Sequence, residues 1–88
     1  MFAFVYMLRC KDDSLYTGWT NNLEHRLAMH KAGKGAKYTR GRGPLTLAYV
    51  EELSDKESAL KREYAIKQLP RSMKLKLCSS WQKQNTEK

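Results

Sequence analysis

Apolar residues in the first nine positions fall on both alternating faces, with Phe2, Phe4, Tyr6 and Leu8 on one and Ala3, Val5 and Met7 on the other. A strand that is apolar on both sides is covered on both sides, so residues 2–9 are predicted to form a central strand. Cys10-Lys11-Asp12-Asp13-Ser14 is turn material, and the aromatic and β-branched run over 15–20 reads as the hairpin partner. Loop length decides which face each tyrosine takes. A three-residue loop of Lys11, Asp12 and Asp13, with Asp13 left-handed, pairs Cys10 with Ser14 and puts Tyr6 and Tyr16 on the same face. A two-residue loop shifts the pairing by one and separates them. A shared site holding both tyrosines therefore requires an odd loop.

Asn21 and Glu24, three apart, make a capping-box-like start for a helix that runs to about Lys31 and stops at Gly33. Leu23 and Leu27 mark its buried face, and Arg26 and His30, four apart, flank that stripe. The pair is either a snorkelling arginine with a hydrogen-bonded terminal histidine, or two polar groups aimed at a site beside the sheet. Residues 31–43 form a glycine-rich loop with five basic residues, one tyrosine and no acid. Such a loop suits gripping phosphates, with Tyr38 able to stack on a base; a solvated linker is the plain alternative. No Gly-Lys-Ser/Thr ends it, so it is not a P-loop.

Leu45–Glu51 reads as a third strand, and Ser54-Asp55-Lys56-Glu57 as a capping box opening a helix to about Leu69. Ala59, Leu60, Tyr64 and Ile66 define the inner face of that helix, with Glu63 in its middle. A core-directed carboxylate costs several kcal/mol unless a cation or metal meets it. Glu63 is thus either half of a salt bridge, for instance to Arg26, or a metal ligand. Pro70 suits the first turn of a last helix, where Met73, Leu77 and Trp81 recur at i, i+4, i+8 to close the core. The result is an α+β chain in the order β-β-α-β-α-α, a three-stranded antiparallel sheet flanked by helices. One domain is expected over 1–81, and 82–88, without an apolar residue, reads as a frayed, disordered tail.

Composition narrows the partner. The chain has 88 residues with 17 Lys+Arg against 9 Asp+Glu, a net charge of +8. So large a surplus in one small domain points to a polyanion, nucleic acid first and an anionic membrane surface second. Its clustering in 31–43 argues against a merely soluble basic protein. Cys10 and Cys78 belong to no CxxC or Cys/His ligand spacing and are expected as buried free thiols, which fits a reducing cytosol. No basic residues precede the apolar run Met1–Leu8, which is too short for a membrane span. A cytoplasmic monomer with no membrane partner is the expectation.

The Val5-Tyr6 run, Tyr16-Thr17-Gly18 ten residues on, Arg26 and His30 on the next helix and Glu63 on a later one together resemble the GIY-YIG nuclease superfamily. The likeness covers about Phe4 to Leu77 and is closest to the small stand-alone bacterial members, related to the nuclease domains of structure-specific junction endonucleases. It departs in two places. The first signature reads Phe4-Val5-Tyr6 without the glycine that names the family, and Trp19 stands where the repair branch has a lysine. The resemblance implies that Tyr6 and Tyr16 are the signature tyrosines and Arg26 the phosphate-binding arginine. It likewise makes His30 the helix residue near the attacking water and Glu63 the ligand of one Mg²⁺ or Mn²⁺.

That constellation suits phosphodiester hydrolysis. A Glu63-bound ion acts as Lewis acid, and Arg26 offers a fixed, always-charged fork to the developing charge. The base is either a tyrosine, whose unperturbed pKa near 10 must fall, or His30, which starts nearer neutrality. Lys37, Arg40, Arg42 and Lys67 would hold the strand by its phosphates, with Tyr38 stacking. The first expectation is a metal-dependent DNA endonuclease, selective for structure or single strands, in repair or recombination. A nucleic-acid-binding module that cleaves poorly, with RNA as a further ligand, is the alternative. A basic accessory protein with a protein partner is the third. A core-directed carboxylate favours the first, because binding alone does not need one.

Overall fold

A computed structural model of the chain describes residues 2–86. The elements are β1 (Ala3–Arg9), β2 (Leu15–Thr20), α1 (Leu23–Lys31), a 3-10 turn (Lys37–Thr39), β3 (Thr46–Leu53), α2 (Lys56–Lys67) and α3 (Arg71–Thr86). The strands form one antiparallel sheet in the order β2-β1-β3, so the doubly apolar first strand is central, as its pattern requires. The α+β fold expected from the sequence is the fold adopted.

The hairpin sets the register. The Cys10 N–H donates to the Ser14 carbonyl at 2.9 Å, and Asp13 stands at φ 68°. Aspartate tolerates that left-handed conformation better than most side chains. The three-residue loop pairs Leu8 with Tyr16 and Tyr6 with Gly18. Alternation then places residues 6, 8, 16 and 18 on one face, which gathers both tyrosines. On the other face Ala3, Val5 and Met7 join Ala48, Tyr49, Ala59, Ile66 and Cys78 in the core, with Trp19, Leu77 and Trp81 packed around them. A fully buried side chain such as Ile66 contributes roughly 1.5–3 kcal/mol. Cys10 and Cys78 are free and buried, as expected.

Both helix caps fall one residue later than the sequence pattern suggests. The cap of α1 is Asn22, not Asn21, and its side chain accepts from the His25 N–H at 3.1 Å. Thr20 causes the shift: its hydroxyl oxygen accepts from the Asn22 N–H at 3.0 Å and its O–H donates to the Asn22 carbonyl at 3.2 Å. In α2 the cap is Asp55, not Ser54, and accepts from the Ser58 N–H at 2.7 Å. An ionised carboxylate is the stronger acceptor for a helix start. Glu24 and Glu57 therefore complete no capping box; they sit in the first turns, where the helix dipole favours them.

The inner face of α2 also differs. Leu60 and Tyr64 are 40% and 68% exposed, and only Ala59 and Ile66 are buried. The short Ala59 side chain lets the helix approach the sheet along a narrow stripe, and the bulkier pair turns outward. At about 100° per residue, Arg62 and Glu63 flank that stripe, so Glu63 lies at its edge and not in its middle. In α3, Met73 is 43% exposed while Leu77 and Trp81 pack on the core. The start of α3 is drawn to the hairpin tip, where Arg71 donates to the Asp13 carbonyl at 2.7 Å, and Met73 lies in that first turn. The helix continues through Thr86, so residues 82–86 are helical where a frayed tail was expected. Nothing in their sequence breaks a helix. Met1, Glu87 and Lys88 lie outside the described residues.

Candidate active site

Tyr6 projects from the central strand toward the last turn of α1. Fully buried, it places its hydroxyl 2.8 Å from His30 Nε2. The other ring nitrogen of His30, Nδ1, lies 3.0 Å from Thr39 Oγ1, and Thr39 lies 2.9 Å from the Ala36 carbonyl. His30 and Thr39 are both 3% exposed. Tyr16, on the adjacent strand, has its ring centroid 6.3 Å from Tyr6 and 5.3 Å from His30. Arg26, one turn before His30, has its guanidinium against both tyrosine hydroxyls; hydrogen bonding to Tyr6, more than to Tyr16, favours its charged form. The fold thus brings together Tyr6, Tyr16, Arg26 and His30. The pair read as either snorkelling or site-directed faces the site.

Burial pushes the Tyr6 phenol up to about 12; hydrogen bonding to Arg26 opposes this, while the nearby Tyr16 and Glu63 add to it. His30 is pushed down, by burial first and then by the charge of Arg26. Both shifts favour neutral forms. A neutral phenol beside a neutral imidazole is the resting state of the pair.

Glu63 sits close enough for its charge to act on Tyr6. Its side chain is only 18% exposed, and its ion-pair partner is Lys67, one turn on, at 3.6 Å. The salt bridge anticipated with Arg26 is therefore made with Lys67. The basic loop is tied down as well as charged. The Lys11 N–H donates to the Arg42 carbonyl at 2.8 Å, and the Arg42 guanidinium pairs with Asp12 at the hairpin tip. Arg42 also lies 4.4 Å from the Tyr38 ring centroid, and Tyr38 stacks on Tyr16 at 5.9 Å. Tyr38 thus already carries two ring partners, while Arg40 is exposed. Lys37 opens the 3-10 turn, and its side chain lies outside the described residues. A cleft of about 270 Å³ runs beside Tyr16, lined also by Leu15, Thr17, Tyr38, Lys67 and Lys74.

Thr39 and Gly35 have a part in this arrangement that their sequence positions did not announce, and Gly18, quoted only as part of the Tyr16-Thr17-Gly18 motif, gains a physical reason. Thr39 was hidden among the cations of its loop. Gly18 lies opposite Tyr6, and a Cβ there would stand 2.8 Å from the Tyr6 oxygen and 3.0 Å from the Tyr16 ring. Gly35 backs onto His30, and a Cβ there would stand 2.3 Å from Nδ1 and 2.9 Å from the His30 Cα. Because part of that clash is with backbone, rotating one side chain cannot relieve it. Gly35→Ala is expected to cost about 1–3 kcal/mol, the usual range for overpacking. Urea unfolding measures the loss. Wild-type stability would mean that the loop does not need this approach.

This fold and this set of residues belong to a known class. Residues 2–76 match the model of the GIY-YIG catalytic domain, and the chain belongs to the GIY-YIG family. Within it, the chain is 66% identical over 74 residues to a UPF0213 protein of Oceanobacillus iheyensis, covering 84% of this chain and 86% of that one. It is 51% identical over 74 residues to a UPF0213 protein of Natronomonas pharaonis, covering 84% of this chain and 87% of the other. The solution NMR structure of a UPF0213 protein from Bacillus halodurans is similar at 48% identity and TM-score 0.59, covering 90% of this chain and 84% of that one. An NMR structure of an E. faecalis protein gives 34% identity and TM-score 0.63, covering 93% and 88%. Among the described residues no helix is long and apolar enough to cross a membrane.

Proposed function

We propose that the chain is a divalent-metal-dependent endonuclease that hydrolyses DNA phosphodiester bonds, selective for structure or single strands, as suits repair or recombination intermediates. The observation that carries this reading is the buried Tyr6 hydroxyl, placed between His30 Nε2 at 2.8 Å and the Arg26 guanidinium, with the charge of Glu63 acting on it. Burying a phenol against an imidazole, with a part-buried guanidinium beside them, is costly unless the groups are used or fully paired. A surface that only binds phosphates needs neither the phenol nor the imidazole buried.

The donor set suits one kind of ion. Among the described residues no three His, Cys, Asp or Glu side chains form a cage. A single carboxylate fits a hard cation that keeps most of its water, which means Mg²⁺ or Mn²⁺. Glu63 would hold it, and the bound ion would supply Lewis-acid stabilisation of phosphoryl charge. Lys67, 50% exposed, is free to swing away from Glu63 toward the cleft it lines. Arg26 holds the phosphoryl oxygens through a planar fork that keeps its charge at any working pH. Tyr6 receives a proton from the attacking water and gives its own to His30. Lys67, Lys74 and Arg40 hold the strand by its phosphates, whereas Arg42 and Tyr38 serve first to shape the loop beside Tyr16. With so few base contacts available, preference is for strand structure over sequence.

The test is cleavage of labelled single-stranded, flapped and branched DNA with Mg²⁺ or Mn²⁺, each beside a chelator control. Metal-dependent cutting is the expected result. Salt-sensitive binding with no cutting of any substrate would reduce the protein to a nucleic-acid-binding module.

A further inference from the structure

The hydrogen-bond chain through His30 can be drawn in two directions, and the direction decides what Tyr6 is able to do. In one, Tyr6 O–H donates to Nε2, Nδ1–H donates to Thr39, and the Thr39 O–H donates to the Ala36 carbonyl. In the other, Thr39 donates to Nδ1 and Nε2–H donates to Tyr6. The two differ in how many groups they satisfy. The distances support three bonds in the first direction, 2.8, 3.0 and 2.9 Å, all with usable geometry. The second keeps two of them and removes the hydroxyl from the Ala36 carbonyl, which still accepts from the Thr39 N–H at 3.0 Å, so the group it strands is the Tyr6 O–H. It also turns the Tyr6 O–H away from His30 and toward Arg26, which has donors and no acceptor. With Tyr6, His30 and Thr39 all at most 3% exposed, water is poorly placed to make up the difference.

We propose that Thr39, backed by the Ala36 carbonyl, is a positioning residue that holds His30 as the Nδ1–H tautomer and leaves Nε2 bare to accept the Tyr6 proton. The basic loop then has a second task beyond binding phosphates: its 3-10 turn sets the direction of proton flow at the site. Gly35 belongs to the same device, because its missing side chain lets the loop close on the Nδ1 edge of His30. The proton balance is complete within named groups. As the water O–H bond breaks, a new Tyr6 O–H bond forms; the original Tyr6 O–H bond breaks, and an Nε2–H bond forms on His30. The Nδ1–H bond of His30 stays intact throughout, donating to the Thr39 hydroxyl oxygen. The catalytic use of this direction rests on the nuclease reading, but the tautomer itself does not.

Two histidines make the measurement simple. Exposed His25 serves as the reference for buried His30 in a long-range ¹H–¹⁵N spectrum of the ¹⁵N-labelled full chain, recorded above the histidine range without metal or DNA. The expected result for His30 is a pyrrole-type Nδ1 and a pyridine-type Nε2. A pyridine-type Nδ1 would overturn the proposal, whatever the nuclease assay gives. Thr39→Val should lose the pure Nδ1–H signature and Thr39→Ser should restore it. A Thr39→Val variant that folds and keeps the wild-type tautomer would show that something other than the hydroxyl holds the ring. If the tautomer is as expected and no DNA is cut, the nuclease reading fails and the positioning role of Thr39 survives.

Discussion

Glu63→Ala is expected to lower metal-dependent cleavage by about a thousandfold while leaving the fold and the affinity for DNA almost unchanged. The size follows from what the carboxylate would hold. A Lewis-acid ion contributes several kcal/mol of transition-state stabilisation, and each ~1.4 kcal/mol is tenfold in rate. The cost to the fold is small for two reasons. The structural partner of Glu63 is Lys67 at 3.6 Å, a helix pair of the i,i+4 kind worth about 0.2–0.5 kcal/mol. Alanine is also the better helix former, so part of that loss is returned. Removing one negative charge from a chain of net charge +8 leaves DNA binding equal or slightly tighter at fixed salt. Cleavage rates at saturating Mn²⁺, fluorescence anisotropy with labelled DNA and a urea unfolding curve test the three parts separately. Cleavage within tenfold of wild type would remove Glu63 as the metal ligand. Unfolding of the variant would instead make it a structural residue.

How much of this arrangement the sequence carried can be judged residue by residue. The face shared by Tyr6 and Tyr16 was legible as a condition: strand alternation is strict, so a three-residue loop gathers the tyrosines and a two-residue loop separates them, and the loop adopted has three residues. Arg26 and His30 were legible because four residues is one helical turn. The caps were misplaced by one residue because Asn21 and Asn22, like Ser54 and Asp55, are both capable acceptors; the neighbouring Thr20 hydroxyl decides the first pair. The inner face of α2 was misjudged because hydrophobicity pulled its centre toward Leu60 and Tyr64. Ala59 and Ile66 contact the sheet instead, and Glu63 moves to the flank. Thr39 and Gly35, and the reason for Gly18 in its motif, were invisible for a different reason. Their importance lies in distances of 3 Å or less to Tyr6 and His30, which exist only after the hairpin and the loop have closed.

The basic loop shows the same divide. Its charge was plain in the sequence, but its acidic partner lies thirty residues earlier, in the hairpin turn. Asp12 holds Arg42, Arg42 covers Tyr38, and Tyr38 stacks on Tyr16. Residues read as a grip on phosphate therefore also brace one side of the site.

Tyr6→Phe is the second large effect, an expected loss of about 10²–10⁴-fold in cleavage, the usual range for a positioned proton-transfer group. Phenylalanine fills the same buried space, so packing is retained, and the cost to stability is that of leaving His30 Nε2 without a donor, about 1–3 kcal/mol. The same variant separates two ways of activating water. A phenol pushed up to about 12 is protonated at neutral pH, so Tyr6 is not a ready-made phenolate. In the proposed reaction it would take the proton of water only as it gave up its own, and His30, pushed below its ordinary value, is neutral and would receive it. Wild-type cleavage at saturating metal should therefore level off by neutral pH. A rate that keeps climbing toward alkaline pH would mean that a phenolate does the work without His30. His30→Ala should lose about as much as Tyr6→Phe, and the double variant little more than either, because the two act as one unit. Additive losses in the double variant would break that unit apart and leave Tyr6 as a packing residue beside an independently acting histidine.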